Sequence, residues 1–197
     1  MSLLLNVNRF IPITEVEGPG NRSCVWLQGC HIRCKGCFAK DLWDSKQHLL
    51  YTPDELINMI PPKSEGITIL GGEPFEQAEG LSMLLELAWK KGLSTIVFTG
   101  YTYEYIQEKV SREYPSILSH IDVLIDGPYI ESLRSFDMPL IGSTNQRFHF
   151  LTKRYSMTDF CKNRYEIRVR KNGAVVINGM GNIDIFRNMQ ETSNIIN

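Results

Sequence analysis

The chain reads as an α/β protein with a mainly parallel sheet and a small antiparallel C-terminal extension. Short β-branched or apolar runs alternate with longer runs of helical period, the pattern of strands joined through crossover helices. Past the middle the pattern changes. Arg147 to Thr152 and Tyr165 to Arg170 look extended, and Lys171-Asn172-Gly173 is a hairpin turn into Ala174 to Asn178. A length of 197 residues with 43% hydrophobic content suits one core, and there is no repeat, low-complexity block or linker. One domain, 1–197, is therefore expected, with its core at about 15–150 and the β extension at about 150–190.

Each element has a local cause. Ser23 to Leu27 and Gly66 to Leu70 are apolar runs of strand length. Thr52 to Met59 is a helix capped by Thr52 with Pro53 in its first turn, and Glu76 to Lys91 is an amphipathic helix. Ser94 to Thr99 is a strand, Thr102 to Tyr114 a helix stopped before Pro115, and Ile121 to Asp126 a strand. The polar end, Glu191 to Asn197, is expected to fray.

The charge balance, 21 basic against 22 acidic residues, provides no global field for nucleic acid. The basic stretch from Arg164 to Lys171, with Lys153-Arg154, reads as a solvated face. The opening Met1-Ser2-Leu3-Leu4-Leu5 is too short and uncharged for a signal peptide, and no apolar run reaches the roughly 18 residues of a membrane span. Five cysteines is an odd number, and three of them fall within Cys30 to Cys37, which suits a metal site in a reducing compartment better than a disulfide framework. A cytoplasmic location without membrane contact follows as the expectation.

The candidate motifs all sit after predicted strands, where ligand sites of βα folds gather. Cys30-His31-Ile32-Arg33-Cys34-Lys35-Gly36-Cys37 follows the first strand, Gly71-Gly72-Glu73-Pro74 the second, Thr99-Gly100-Tyr101 the third and Asp126-Gly127-Pro128-Tyr129 the fourth. Three thiolates on a cube-shaped iron-sulfur cluster leave one iron open to another ligand. Zinc is the alternative, with a fourth ligand from His31, Cys24 or Cys161. A diglycine lets a ligand approach the backbone closely, and a fixed carboxylate can accept from an ammonium.

The three cysteines and the Gly-Gly-Glu-Pro segment together resemble the radical S-adenosylmethionine (SAM) enzymes, over roughly the first three quarters of the chain. The resemblance implies an incomplete TIM-like βα barrel, with Cys30, Cys34 and Cys37 holding a 4Fe-4S cluster that binds SAM through its free iron. It further implies that Glu73, within Gly71 to Pro74, takes the amino group of SAM. Thr99, Gly100 and Asp126 become candidates for its ribose, carboxylate or methyl side, Phe38 for its adenine, and Gly36 completes the cofactor-facing loop. No catalytic side chain is expected beyond the cluster and SAM. A flavodoxin or ferredoxin would supply the electron that cleaves SAM to methionine and a hydrogen-abstracting 5'-deoxyadenosyl radical.

Glu17-Gly18-Pro19-Gly20-Asn21-Arg22, Gln28-Gly29-Cys30-His31, Gly36-Cys37-Phe38, Asp122 to Tyr129 and Gly142 to Arg147 look like the activating enzymes of anaerobic ribonucleoside-triphosphate reductase. That group installs a glycyl radical on a large partner, and a short chain with no lid suits a protein loop as substrate. Gly142 to Arg147 would be a docking element or simply a surface loop. Ala39 departs from the Asn frequent in these activases. Two other classes remain at this stage: a radical SAM enzyme acting on a small molecule or peptide, such as the short 7-carboxy-7-deazaguanine synthases, and a non-catalytic iron-sulfur or zinc binding module.

Overall fold

The computed structural model describes residues 3–160, 165–169, 171–173 and 175–179. Seven strands form one sheet: β1 (Leu5–Thr14), β2 (Arg22–Leu27), β3 (Leu49–Tyr51), β4 (Gly66–Gly71), β5 (Ser94–Phe98), β6 (Val123–Asp126) and β7 (Arg147–Phe150), in the order β3-β1-β2-β4-β5-β6-β7. The central strands β2, β4, β5 and β6 run parallel, while β1, β3 and β7 add antiparallel edges. A separate antiparallel pair, β8 (Tyr165–Val169) and β9 (Val175–Gly179), forms the expected C-terminal hairpin.

The parallel centre requires crossovers, and the sequence supplies them as helices. Helix α1 (Pro53–Met59) begins in a capping box: Thr52 Oγ1 accepts from Glu55 N, and Glu55 returns a carboxylate to Thr52 N. Helix α2 (Ala78–Lys90) buries Leu81, Leu84, Leu85 and Ala88, the stripe that a 3.6-residue period produces. A third helix, α3, spans 103–113, starts at the Thr102 cap and widens to a π turn over Ile106–Val110.

Strand alternation divides the sheet between two environments. Val25, Leu27, Ile67, Ile69, Val97 and Leu124 pack with the helices in the main core. The other face of β2, β4 and β5 turns Trp26, Leu70 and Phe98 toward a cavity of about 810 Å³. At the start of the parallel strands, Arg22 is wholly buried and donates to Thr68 Oγ1 at 2.7 Å, Ser94 Oγ at 2.8 Å and the Ile67 carbonyl at 2.8 Å. The Glu17 to Arg22 motif thus ends in a polar plug at the opposite end of β2 from the cysteines.

Among the described residues, no helix is long and apolar enough to cross a membrane.

Candidate functional site

Cys30, Cys34 and Cys37 line the cavity just beyond β2. Their loop is held from several sides. Gly29 N donates to the Leu42 carbonyl at 2.9 Å, and His31 places both its backbone N–H and its Nδ1 on the Glu76 carboxylate, at 2.8 and 2.7 Å. His31 therefore braces the loop. Gly36 has φ +78°, and a Cβ there would lie 2.8 Å from Glu131 Oε1, so both turn geometry and space favour glycine.

Backbone N–H groups point at the sulfurs: those of Arg33 and Ile32 at Cys30, that of Tyr129 at Cys34, and that of Ala39 at Cys37 Sγ, 3.4 Å away. Burial pushes the Cys30 and Cys34 thiols up from their ordinary range, against the pull of these donors. Three thiols with N–H donors on one cavity rim are the donor set of a thiolate-bound cluster, for which hydrogen bonds to sulfur tune the potential. Among the described residues, no three His, Cys, Asp or Glu side chains are drawn in around one metal-ion position. Of the other possible zinc ligands, Cys24 is buried within β2 and Cys161 lies outside the described residues.

The diglycine meets a different demand from the one expected. A Cβ on Gly72 would lie 2.0 Å from the Gly29 carbonyl oxygen, and one on Gly71, at φ +118°, 2.3 Å from Leu27 N. What approaches these glycines is the backbone of the cysteine segment. Gly72 N donates to the Leu27 carbonyl and Glu73 N to that of Gly29, each at 2.8 Å. Gly71 and Gly72 also line the cavity, but chain-to-chain contact by itself requires them.

Glu73 is buried at the cavity edge, and its carboxylate ties two loops together. Oε1 accepts from Phe75 N at 3.0 Å and Thr99 Oγ1 at 2.8 Å, and Oε2 from Gly100 N at 2.7 Å. Burial pushes its carboxyl up to about 7, against these three neutral donors. Thr99 and Gly100 line the cavity as expected, with their polar groups directed to Glu73. Pro74 opens the turn before α2 and lies off the lining.

Asp126 also lies off it. Its Oδ1 accepts from Arg147 Nε at 3.1 Å, its Oδ2 from Tyr103 N at 2.6 Å and from the Arg147 guanidinium, and His149 Nε2 sits 3.1 Å away. Burial raises this carboxyl, but Arg147, the Tyr103 N–H and His149 outweigh it and leave it below the usual range. Asp126, a candidate for contact with SAM, thus joins β6, β7 and α3. Phe38 lines the cavity mouth, half exposed, edge-on to Tyr129 with ring centres 5.8 Å apart. The Gly142 to Arg147 loop is pinned, since Asn145 Nδ2 donates to the Pro128 carbonyl and Gln146 Nε2 to that of Gly127.

Arg9 and Trp26 are cavity residues that the sequence reading did not single out, and Glu17 of the Glu17 to Arg22 motif joins them there. The available signal was an arginine within the alternating, partly apolar run Leu5 to Thr14.

A cysteine-rimmed cavity at the carboxyl ends of parallel strands defines an iron-sulfur protein of α/β type. The sequence matches the 4Fe-4S single cluster domain family over residues 16–149. It is 30% identical over 159 residues to the anaerobic ribonucleoside-triphosphate reductase-activating protein of Vibrio cholerae, covering 75% of this chain and 99% of that one. It is 33% identical over 125 residues to the pyruvate formate-lyase-activating enzyme of Clostridium pasteurianum, covering 59% and 49%. Among solved structures, QueE from Escherichia coli aligns over 50% of this chain and 54% of that one, with a TM-score of 0.43 and 22% identity. The chain belongs to the 4Fe-4S single cluster domain family and, within it, to the radical SAM activating enzymes, which use a 4Fe-4S cluster and SAM.

Proposed function

We propose that this enzyme installs a glycyl radical on an anaerobic ribonucleoside-triphosphate reductase, in the cytoplasm, with flavodoxin or ferredoxin as reductant. The observation that carries the proposal is the cysteine loop stitched to the Gly71 to Glu73 segment on one cavity, in a chain that matches reductase-activating proteins along almost their full length. Cys30, Cys34 and Cys37 would hold the cluster, whose free iron leaves a place for SAM. When bound, it supplies the electron that splits SAM into methionine and a radical able to abstract hydrogen.

The protein's own part is to orient and to keep dry. Glu73 keeps one accepting position on Oε2 beyond its Gly100 partner and can receive the SAM ammonium. Gly71, Gly72, Thr99 and Gly100 shape the wall beside it, and Phe38 gives the adenine an aromatic face. Gly36 positions the cysteine loop, and Pro74 the turn that follows Glu73. We further take residues 1–197 as one domain, a core of about 15–150 and a β extension of about 150–190, built as an incomplete TIM-like barrel: the helices share one face of the sheet and the cavity occupies the other.

The test is anaerobic reconstitution with iron and sulfide, followed by SAM, dithionite and the reductase. The expected result is 5'-deoxyadenosine together with a glycyl radical signal, both lost when Cys30, Cys34 or Cys37 becomes alanine and retained in Cys24→Ala. Turnover stimulated by a small molecule but not by the reductase would instead favour a deazaguanine-synthase-like activity.

A further inference from the structure

The hairpin formed by β8 and β9 is an addition to the body that the family shares. The family match ends at residue 149 and the hairpin begins at Tyr165, while 75% of this chain already accounts for 99% of the Vibrio cholerae relative. Yet the addition is built into the cavity. Ile167, Val175 and Ile177 lie on its lining together with Cys30 and Glu73, and Asn178 and Gly179 continue that wall.

The pairing register decides which face of the hairpin does what. Ile167 pairs with Ile177 and Val169 with Val175, so these four side chains share one face of the ribbon. Glu166, Arg168, Val176 and Asn178 share the other. The ribbon is tied down through that second face and its end: Thr14 Oγ1 donates to Glu166 Oε2 at 2.7 Å, the Arg168 guanidinium donates to the Ile13 carbonyl, and the Gly179 N–H donates to the Glu17 carboxylate. The apolar face is left bare. Val169 is 71% exposed, Val175 57% and Ile167 52%. Single exposed valines are common, but a contiguous apolar face on an element anchored by its polar side marks a contact surface.

The reach of this face identifies its occupant. Val169 lies off the cavity lining while its neighbours Ile167 and Val175 lie on it, so one apolar strip runs from inside the cavity to the open surface. A small molecule held beside the cysteines would leave the Val169 end uncovered. A polypeptide that enters the cavity also continues out of it and covers both ends, and apolar side chains are what such a strip accepts.

We infer that the strip formed by Ile167, Val169, Val175 and Ile177 is a docking surface for the partner enzyme, receiving apolar side chains of the segment whose glycine enters the cavity. This rests on the glycyl-radical function proposed above. The hairpin then adds to the shared body a contact that reads the partner's flanking side chains, not the glycine itself.

The test replaces the outer cross-strand pair by charges of opposite sign. In Val169→Lys/Val175→Glu the two side chains still face and support each other, but the strip is no longer apolar there. Calorimetric titration of the reconstituted full-length protein, in the presence of SAM, against the anaerobic reductase should show about tenfold weaker binding for this variant than for the wild type, at equal iron content per chain. Val176→Thr, on the tied face, should bind the reductase as the wild type does. In the wild type, hydrogen exchange of β8 and β9 should slow when the reductase is added, a readout that needs no variant to fold. Equal reductase affinity in the double variant, or unaltered exchange of the hairpin in the complex, would overturn the docking role and leave the activase function standing. A wild-type dimer in sedimentation that the double variant abolishes would assign the strip to a second copy and overturn the role as well. So would protection already present in the free protein and lost on removal of residues 180–197, which would assign the strip to the chain's own end. A wild type that does not bind the reductase, and forms 5'-deoxyadenosine only when a small molecule is added, would overturn both.

Discussion

Two buried carboxylates stand at the ends of parallel strands in this protein, and their surroundings could hardly differ more. Glu73 follows β4, faces the cavity and receives only neutral donors, so burial dominates and its carboxyl rises to about 7. Asp126 closes β6, is not among the cavity-lining residues and receives the Arg147 guanidinium, so it stays below its usual range. The same topological address yields a cavity-lining carboxyl raised by burial in one case and a charge-paired clamp in the other. What separates them is the charge of the donor: a strand end collects ligand-facing groups only when its own fold does not provide a permanent cation.

The largest effect should come from the clamp. Asp126→Ala strands Arg147 and removes the acceptor of Tyr103 N, and should lower stability by about 3 kcal/mol in chemical denaturation. That is the low end for a buried pair because the Arg147 side chain is 46% exposed. Iron content of the folded fraction should be unchanged, and a variant of normal stability that fails to hold SAM would erase the distinction between the two carboxylates. Glu73→Ala should do the converse: SAM affinity falls about tenfold, equivalent to about 1.4 kcal/mol, with the cluster retained. Equilibrium binding of SAM to the reconstituted variant measures it, and an unchanged affinity removes Glu73 from the site.

A gentler test uses the other raised carboxyl. Glu17 is buried and pushed up to about 7 from an ordinary 4.5 by desolvation, against the attraction of Arg9. Between these values the folded chain holds the proton more tightly than the unfolded one. Its contribution to stability is therefore full below about 4.5 and declines as pH rises toward about 7, by at most roughly 1.4 kcal/mol per pH unit. Glu17→Gln should flatten the stability profile of the metal-free protein in that window, read from denaturation midpoints at pH 5, 6 and 7. A profile identical to wild type would mean that the Glu17 carboxyl titrates as if exposed.

Much of the fold was legible because its elements obey local rules. The Thr52 cap with Pro53, the apolar stripe from Leu81 to Ala88 and the runs at β2, β4, β5 and β6 appear where expected. The N-terminal edge was not. Strand β1 carries Asn6, Asn8, Arg9 and Pro12, residues that weaken a strand signal, and β3 is only three residues long. β1 is placed by pairing with β2 and β3 by pairing with β1, which one sequence does not display. The site divides the same way. The cysteines were readable from spacing, whereas the pairing of Asp126 with Arg147, 21 positions away, was not. Arg9 was overlooked because the strand that presents it was overlooked.

The contact between Gly72 and Gly29 has a consequence for how such a chain can change over time. Since a methyl group at position 72 would collide with the carbonyl at 29, the Gly72 segment cannot acquire bulk there while the cysteine segment stays in place. Two stretches far apart in the gene are thus tied in one direction, since bulk at position 72 requires the backbone at 29 to move first.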